Sequence, residues 1–214
     1  MRLQLGRPVR CADDAVRELV DVVIDSHDTR VTHLVVQPSK QPEEARLVPL
    51  ALVDSEASNA DLALRCDAEQ LEKLDRVHEY VFLRPGEQPK EDAKWDVGVE
   101  DVYTTPNYAP STFGEYTGDL DRGVGMAYDR VPKGEIELRQ ASSVYSADEH
   151  HMGRVKGLVA DGEAQVTHLL LERGHLWWKR EIAVPADAVS KFETDLVTLG
   201  VTKTELEALA RRAG

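Results

Sequence analysis

Short valine-rich runs separated by polar turn residues fill most of the chain, and the same run occurs twice. Residues 31–36 read VTHLVV and residues 166–171 read VTHLLL. An apolar run precedes each: RELVDVVID at 17–25 and MGRVKGLVAD at 152–161. Each pair is joined by turn-forming residues, SHDTR in the first case and DGEAQ in the second. Short β-branched runs bounded by such residues predict β-hairpins, with the VTHL segments as return strands. In the return strands apolar residues fall on both faces, Val31 and Val35 on one and Leu34 and Val36 on the other. A strand that needs cover on both sides predicts a small closed or strongly curled sheet.

The recurrence extends beyond the hairpins. A shift of 135 superimposes Leu3 on Leu138, Val9 on Val144, Ala12-Asp13 on Ala147-Asp148, Val20 on Val155 and the whole VTHL segment. With one extra residue Pro49 meets Pro185 and Val53 meets Val189; back at 135, Leu64 meets Leu199 and Leu71 meets Leu206. In this alignment Glu18-Leu19 stands where the later stretch has Gly153-Arg154. Scattered identity at a constant offset points to repeated structure. Pro49 and Pro185 lack an N–H and so mark strand ends or edges. Each repeat closes on a predicted short helix. One starts at Asp67 with Gln70 three residues on. The other starts at Thr202, where Glu205 completes a capping box and Leu206 and Leu209 form one apolar stripe.

Residues 85–133 break this rhythm. They hold five of the ten prolines and six of the fourteen glycines, a linker composition. They also hold Trp95, Tyr103, Tyr108, Phe113, Tyr116 and Tyr128, and solvated linkers are poor in aromatics. The expected organisation is a first domain at 1–84, a linker at 85–133 that drapes its rings over the folded parts, and a second domain at 134–214.

Composition narrows the setting. The formal net charge of −13, with no basic cluster, argues against nucleic acid and anionic membranes as partners. No apolar run reaches the roughly 20 residues of a membrane span, and no signal peptide is apparent, so the cytoplasm is the expected compartment. Cys11 and Cys66 are the only cysteines; neither lies in a CxxC, and they read as free, half-buried thiols.

The stretches VTHLVV…RLVPLALV and MGRVKGLVADGEAQVTHLLLERGHLWWKREIAVPADAV resemble the PRC-barrel domain. Together they resemble the tandem PRC-barrel proteins common in bacterial genomes, over roughly three quarters of the chain. The resemblance implies a mainly β protein of two small β-barrels, each with a short C-terminal helix. It also implies an assembly module without a catalytic centre; the family's occurrence in a photosynthetic reaction-centre subunit suggests an electron-transfer accessory role as an alternative.

The search for chemistry agrees with a non-enzyme. GxxxxGK[ST], HExxH and GxSxG are missing. GVGMAY at 123–128 is a poor phosphate loop because no strand precedes it. The DEHH run, Asp148 to His151, is read as a polar turn rather than a metal site, and His33 and His168 as matched structural histidines. No cofactor is expected. The most suggestive surface is the hairpin ERGHLWWKRE. Adjacent Trp177 and Trp178 point to opposite faces of a strand, so one needs cover from outside the barrel. Large aromatics beside Arg and Lys are common at interface centres. His175, Trp177, Trp178 and Arg180, with Trp95 and Tyr108 from the middle segment, form the candidate interaction surface. Its expected occupant is the other barrel, a second copy in a homodimer, or a protein partner. The rival reading is an enzyme, or a small-molecule or metal binder, with a site between the barrels that uses His33, His168, His150 or His151.

Overall fold

Two long hairpins organise the molecule. In this computed structural model, residues 1–39, 41–54, 62–83, 94–104, 124–174 and 180–212 are described. β3 (Val16–Asp25) returns as β4 (Val31–Gln37), and β12 (His151–Ala160) returns as β13 (Val166–Arg173). The registers match: His33 lies opposite Val23, and His168 opposite Val159. Each return strand then pairs with a strand that ends at a proline, β5 (Arg46–Pro49) or β14 (Arg180–Pro185). Pro49 faces His33 and Pro185 faces His168, so each ladder stops where its N–H donor is missing.

The remaining strands extend two sheets. The first runs β5-β4-β3-β2-β6, with β2 at Arg7–Arg10 and β6 at Leu62–Ala63; β10 (Glu135–Arg139) also pairs with β3. The second runs β14-β13-β12-β11-β16-β15, with β11 at Ser143–Tyr145, β15 at Val189–Phe192 and β16 at Leu196–Leu199. Here β1 (Arg2–Gln4) also pairs with β12. The fold is mainly β and the sheets are curled. Bulges recur in register, at Val20 in β3 and at Lys156 in β12, and bulges bend strands.

The sequence halves are interlocked. β1, from the start of the chain, pairs with β12 of the later half, and β10 pairs with β3 of the earlier one. Leu3 lies opposite Leu158, and Leu138 opposite Val22. The crossing is abrupt: the Leu5 amide donates to the Lys156 carbonyl at 2.8 Å, and the Gly6 amide donates to the Leu19 carbonyl at 2.7 Å. Gly6 makes that reversal at φ +77°, a conformation that costs glycine little. One hydrophobic core results. It contains Leu3, Val22, Leu34, Leu138, Leu158, Leu169 and Leu206, each at most 1% exposed. Burying a leucine fully is worth about 1.5–3 kcal/mol, so each exchanged strand contributes through the other half's core.

The ends of the long hairpins touch. Val31 N donates to Ala164 O at 2.9 Å, and Val166 N donates to Thr29 O at 3.1 Å. Thr29 and Ala164, at φ +54° and +65°, take up the left-handed conformation at matching points.

Structural alignment corrects one detail of the sequence alignment. Arg10 pairs with Val16 and Tyr145 with His151, but Val9 pairs with Arg17 and Val144 with Gly153. Met152 is thus an inserted residue at a bulge, and the following turn is one residue shorter. Leu19, opposite Val36, corresponds to Val155, opposite Leu171. The Val20/Val155 identity is therefore accidental, and Gly153 corresponds to Arg17 rather than Glu18.

Both helices sit where the sequence predicts. In α1 (Ala68–Glu72) Asp67 and Gln70 form a complete capping box. Before α2 (Lys203–Arg212) the Thr202 amide donates to Glu205 Oε2 at 2.8 Å, and the Glu205 amide donates back to Thr202 Oγ1 at 3.4 Å. Asp13 and Asp148 also serve these ends: Asp13 Oδ2 accepts from Ala68 N at 3.3 Å, and Asp148 Oδ1 from Lys203 N at 3.0 Å.

A third, antiparallel sheet has the order β7-β9-β8, with β7 at His78–Leu83, β8 at Trp95–Thr104 and β9 at Val124–Pro132. Two of its strands form inside residues 85–133, where composition points to a linker. Its near ends cover the outer face of the first sheet: Val77 and Val131 bury with Val23, Val35, Ala45 and Leu47, and Trp95 packs against them.

Candidate functional site

Residues 175–179, with His175, Trp177 and Trp178, lie outside the described residues, as does Tyr108. Arg180 opens β14, is exposed and lies opposite Arg173. Trp95 is half-buried against the outer face of the first sheet. Trp95 and Arg180 therefore belong to different sheets.

Comparison of the two proline-ended strands is informative. The outer edge of β5 is occupied. Leu47 N donates to Asp75 O at 2.9 Å, Val77 N donates to Ala45 O at 3.2 Å, and Arg46 bridges Arg76. Among the described residues, the backbone of β14 pairs with β13 alone. α2 lies against β14, and the Arg173–Glu207 ion pair at 3.0 Å helps to hold the helix there. The faces differ as well. Leu47 is buried, whereas its counterpart Ala183 is exposed; the position of Val20 is taken by Lys156. The first half thus carries apolar residues to match its cover, and the second carries a smaller and more polar set.

The predicted chemical residues are dispersed. His33 and Thr32 meet Glu135 of the exchanged strand β10. Thr32 Oγ1 donates to Glu135 Oε2 at 2.6 Å, and His33 Nδ1 lies 3.3 Å from the same oxygen. His168 Nδ1 is 3.2 Å from Thr167 Oγ1. In the DEHH turn Glu149 is left-handed at φ +59°, and His150 Nδ1 lies 3.2 Å from Asp148. The His151 and Tyr145 rings meet in a T-shaped arrangement with centroids 5.3 Å apart. The Asp148 carboxyl is held below its ordinary range by the Ser146 hydroxyl and the Lys203 amide. Among the described residues no cluster of three His, Cys, Asp or Glu side chains could hold a metal. Residues 124–128 of GVGMAY run within β9, in a strand rather than a phosphate-binding loop. No described helix is long and apolar enough to cross a membrane.

Sequence reasoning missed two polar clusters. On β10, Arg139 Nε and Nη2 both donate to Glu137 Oε2, at 3.1 and 3.0 Å, and Glu137 is fully buried. Arg139 Nη1 also reaches Asp195 at 3.5 Å, so the exchanged strand stays tied to its own half. The second is Arg46, 7% exposed, whose Nε donates to Glu72 O at 3.2 Å. A Glu-x-Arg spacing in a strand does place both side chains on one face, but it does not say which face the rest of the fold buries.

No protein-family model matches the chain, and no curated protein does.

Proposed function

We propose that the chain is a non-enzymatic assembly module built from two PRC-barrel-like units, and that a protein partner docks along β14 and the residues that lead into it. The observation that carries this reading is the inequality of the two edges. In the first half, residues 75–77 extend the sheet beyond β5. At the matching edge of β14, backbone donors and acceptors have no described strand beside them. An unpaired edge is a template for an added strand, with backbone hydrogen bonds giving affinity and alternate side chains giving specificity. Trp177 and Trp178, next to Arg180, suit the centre of such an interface. The two-unit reading draws support from the shared registers, the paired left-handed residues and the matched helix caps.

The rival, an active or ligand site made from His33, His168, His150 and His151, draws on no observation that joins any two of them. No cofactor and no nucleic-acid partner belong to the proposed function, and a cytoplasmic setting fits it.

The test is affinity purification of the full chain from its native cells, beside an Arg180→Glu, Ala183→Lys double variant. Both positions are exposed, so the fold should survive. A protein recovered with the parent and lost with the variant supports the β14 site. Equal recovery with both removes it.

A further inference from the structure

The chain's two cysteines are 55 positions apart in sequence and neighbours in the fold. Cys11 follows β2, and Cys66 lies between β6 and α1. β2 and β6 run parallel, with Val9 opposite Leu62. Beyond the paired residues the Ala12 amide donates to the Cys66 carbonyl at 2.9 Å, which keeps the two segments side by side at the cysteines. Both side chains enter the same hydrophobic core, at 3% and 4% exposure. Cys11 continues the register opposite Leu64, and the Ala12–Cys66 hydrogen bond brings Cys66 beside the Cys11–Ala12 segment. A disulfide between them requires roughly 4.4–6.8 Å between α-carbons.

Packing does not demand sulfur here. The corresponding residues of the later half are Ser146 and Val201, held by the same hydrogen bond: Ala147 N donates to Val201 O at 2.9 Å. A hydroxyl and an isopropyl group thus serve the same two positions. Only the first half carries the thiol pair.

From this juxtaposition we infer that Cys11 and Cys66 are a redox site, a dithiol that closes to an intramolecular disulfide in the folded chain. The oxidant class is a small disulfide such as oxidised glutathione. One cysteine thiolate attacks a glutathione sulfur, forming a mixed disulfide and releasing one reduced glutathione. The second thiolate attacks the protein sulfur of that mixed disulfide, forming the Cys11–Cys66 bond and releasing the second. The two thiol protons end on the two glutathione molecules, and the two electrons leave with them. Burial pushes both thiols up from their usual range, so little thiolate is present near neutrality and exchange in the folded chain is slow. The closed ring contains β3, β4, β5 and β6, so oxidation staples the first sheet. β1 and β10 stay outside it.

The test refolds the full chain in a reduced or an oxidised glutathione couple, which removes the access barrier. Oxidation is expected to lower the intact mass by about 2 Da, the loss of two hydrogens. A proteolytic digest should then yield one peptide pair linked through Cys11 and Cys66. The midpoint of thermal unfolding is expected to rise by roughly 10 °C over the reduced chain. A Cys11→Ser, Cys66→Val variant, which copies the later half, should fold and show no redox-dependent shift. Two free thiols in the oxidised couple, glutathione retained on either cysteine, or a link between two chains would each overturn the inference.

Discussion

Arg30 and Gln165 face each other in an isolated antiparallel bridge, and they occupy the same place in the two halves. A residue that pairs with its own counterpart marks a local two-fold axis. Around it the contacts come in matched pairs: Val31 with Ala164, Val166 with Thr29, β1 on β12, β10 on β3. On the proposed two-unit reading, this is the isologous pattern of a homodimer with exchanged strands, contained in one chain. Small units of about 70 residues bury too little surface to be secure alone, and a shared core answers that shortage.

Gly157 should be the least tolerant position in the exchange. A Cβ there would lie 2.0 Å from the Leu3 carbonyl oxygen, and the backbone is at φ +155°. Gly157→Ala is expected to lift β1 from β12 and cost roughly 3 kcal/mol or more in urea unfolding. Gly134→Ala, at φ +82° with open space around it, is the control and should cost about 1 kcal/mol.

Leu3→Ala and Leu138→Ala should have similar effects. Both side chains are fully buried on the two exchanged strands, in one core. Each is expected to destabilise the whole chain by about 2–5 kcal/mol, measured as a shift in the urea midpoint.

Arg46→Ile places at Arg46 the residue found at the corresponding position, Ile182. The Nη1 atom of Arg46 is buried and has no hydrogen-bond partner among the described residues, and the group lies beside Arg76. Exchange of a poorly satisfied buried charge for an apolar side chain is often neutral or stabilising. Unfolding stability should therefore fall by less than about 1 kcal/mol, or rise.

Acid should weaken the helix attachments. Asp148 is held low by Ser146 and Lys203, and Glu205 is held low by Thr202. A carboxyl with a depressed folded pKa stabilises fully above its ordinary range, near pH 4, and loses that contribution as pH falls through the folded value. Unfolding midpoints from pH 6 to pH 2 should drop, and Asp148→Asn, which keeps an acceptor but does not titrate, should flatten part of the fall.

Local features of the fold were legible because they have local causes. The VTHL hairpins follow from short β-branched runs and turn residues, the strand ends from Pro49 and Pro185, and the helix starts from Asp67 and Thr202. The destination of β1 was not. RLQ is three residues long, and its pairing is decided by which core Leu3 enters. β8 and β9 were hidden by the prolines and glycines between them. The one-residue slip at Met152 was masked by a chance valine match. At the candidate surface, the hairpin aromatics drew attention to the stretch just before β14, the strand on which the proposed docking site lies. The contrast with β5 depends on residues 75–77, which no local pattern assigns to that edge.

Hydrogen exchange on the full chain, followed by mass spectrometry, tests the interlocked fold most directly. If the exchanged strands are integral to one core, amides in β1 and β10 share the protection of β3 and β12 and open only with global unfolding. Rapid exchange in β1 and β10 while β3 and β12 stay protected, or separate unfolding of the two halves, would contradict it.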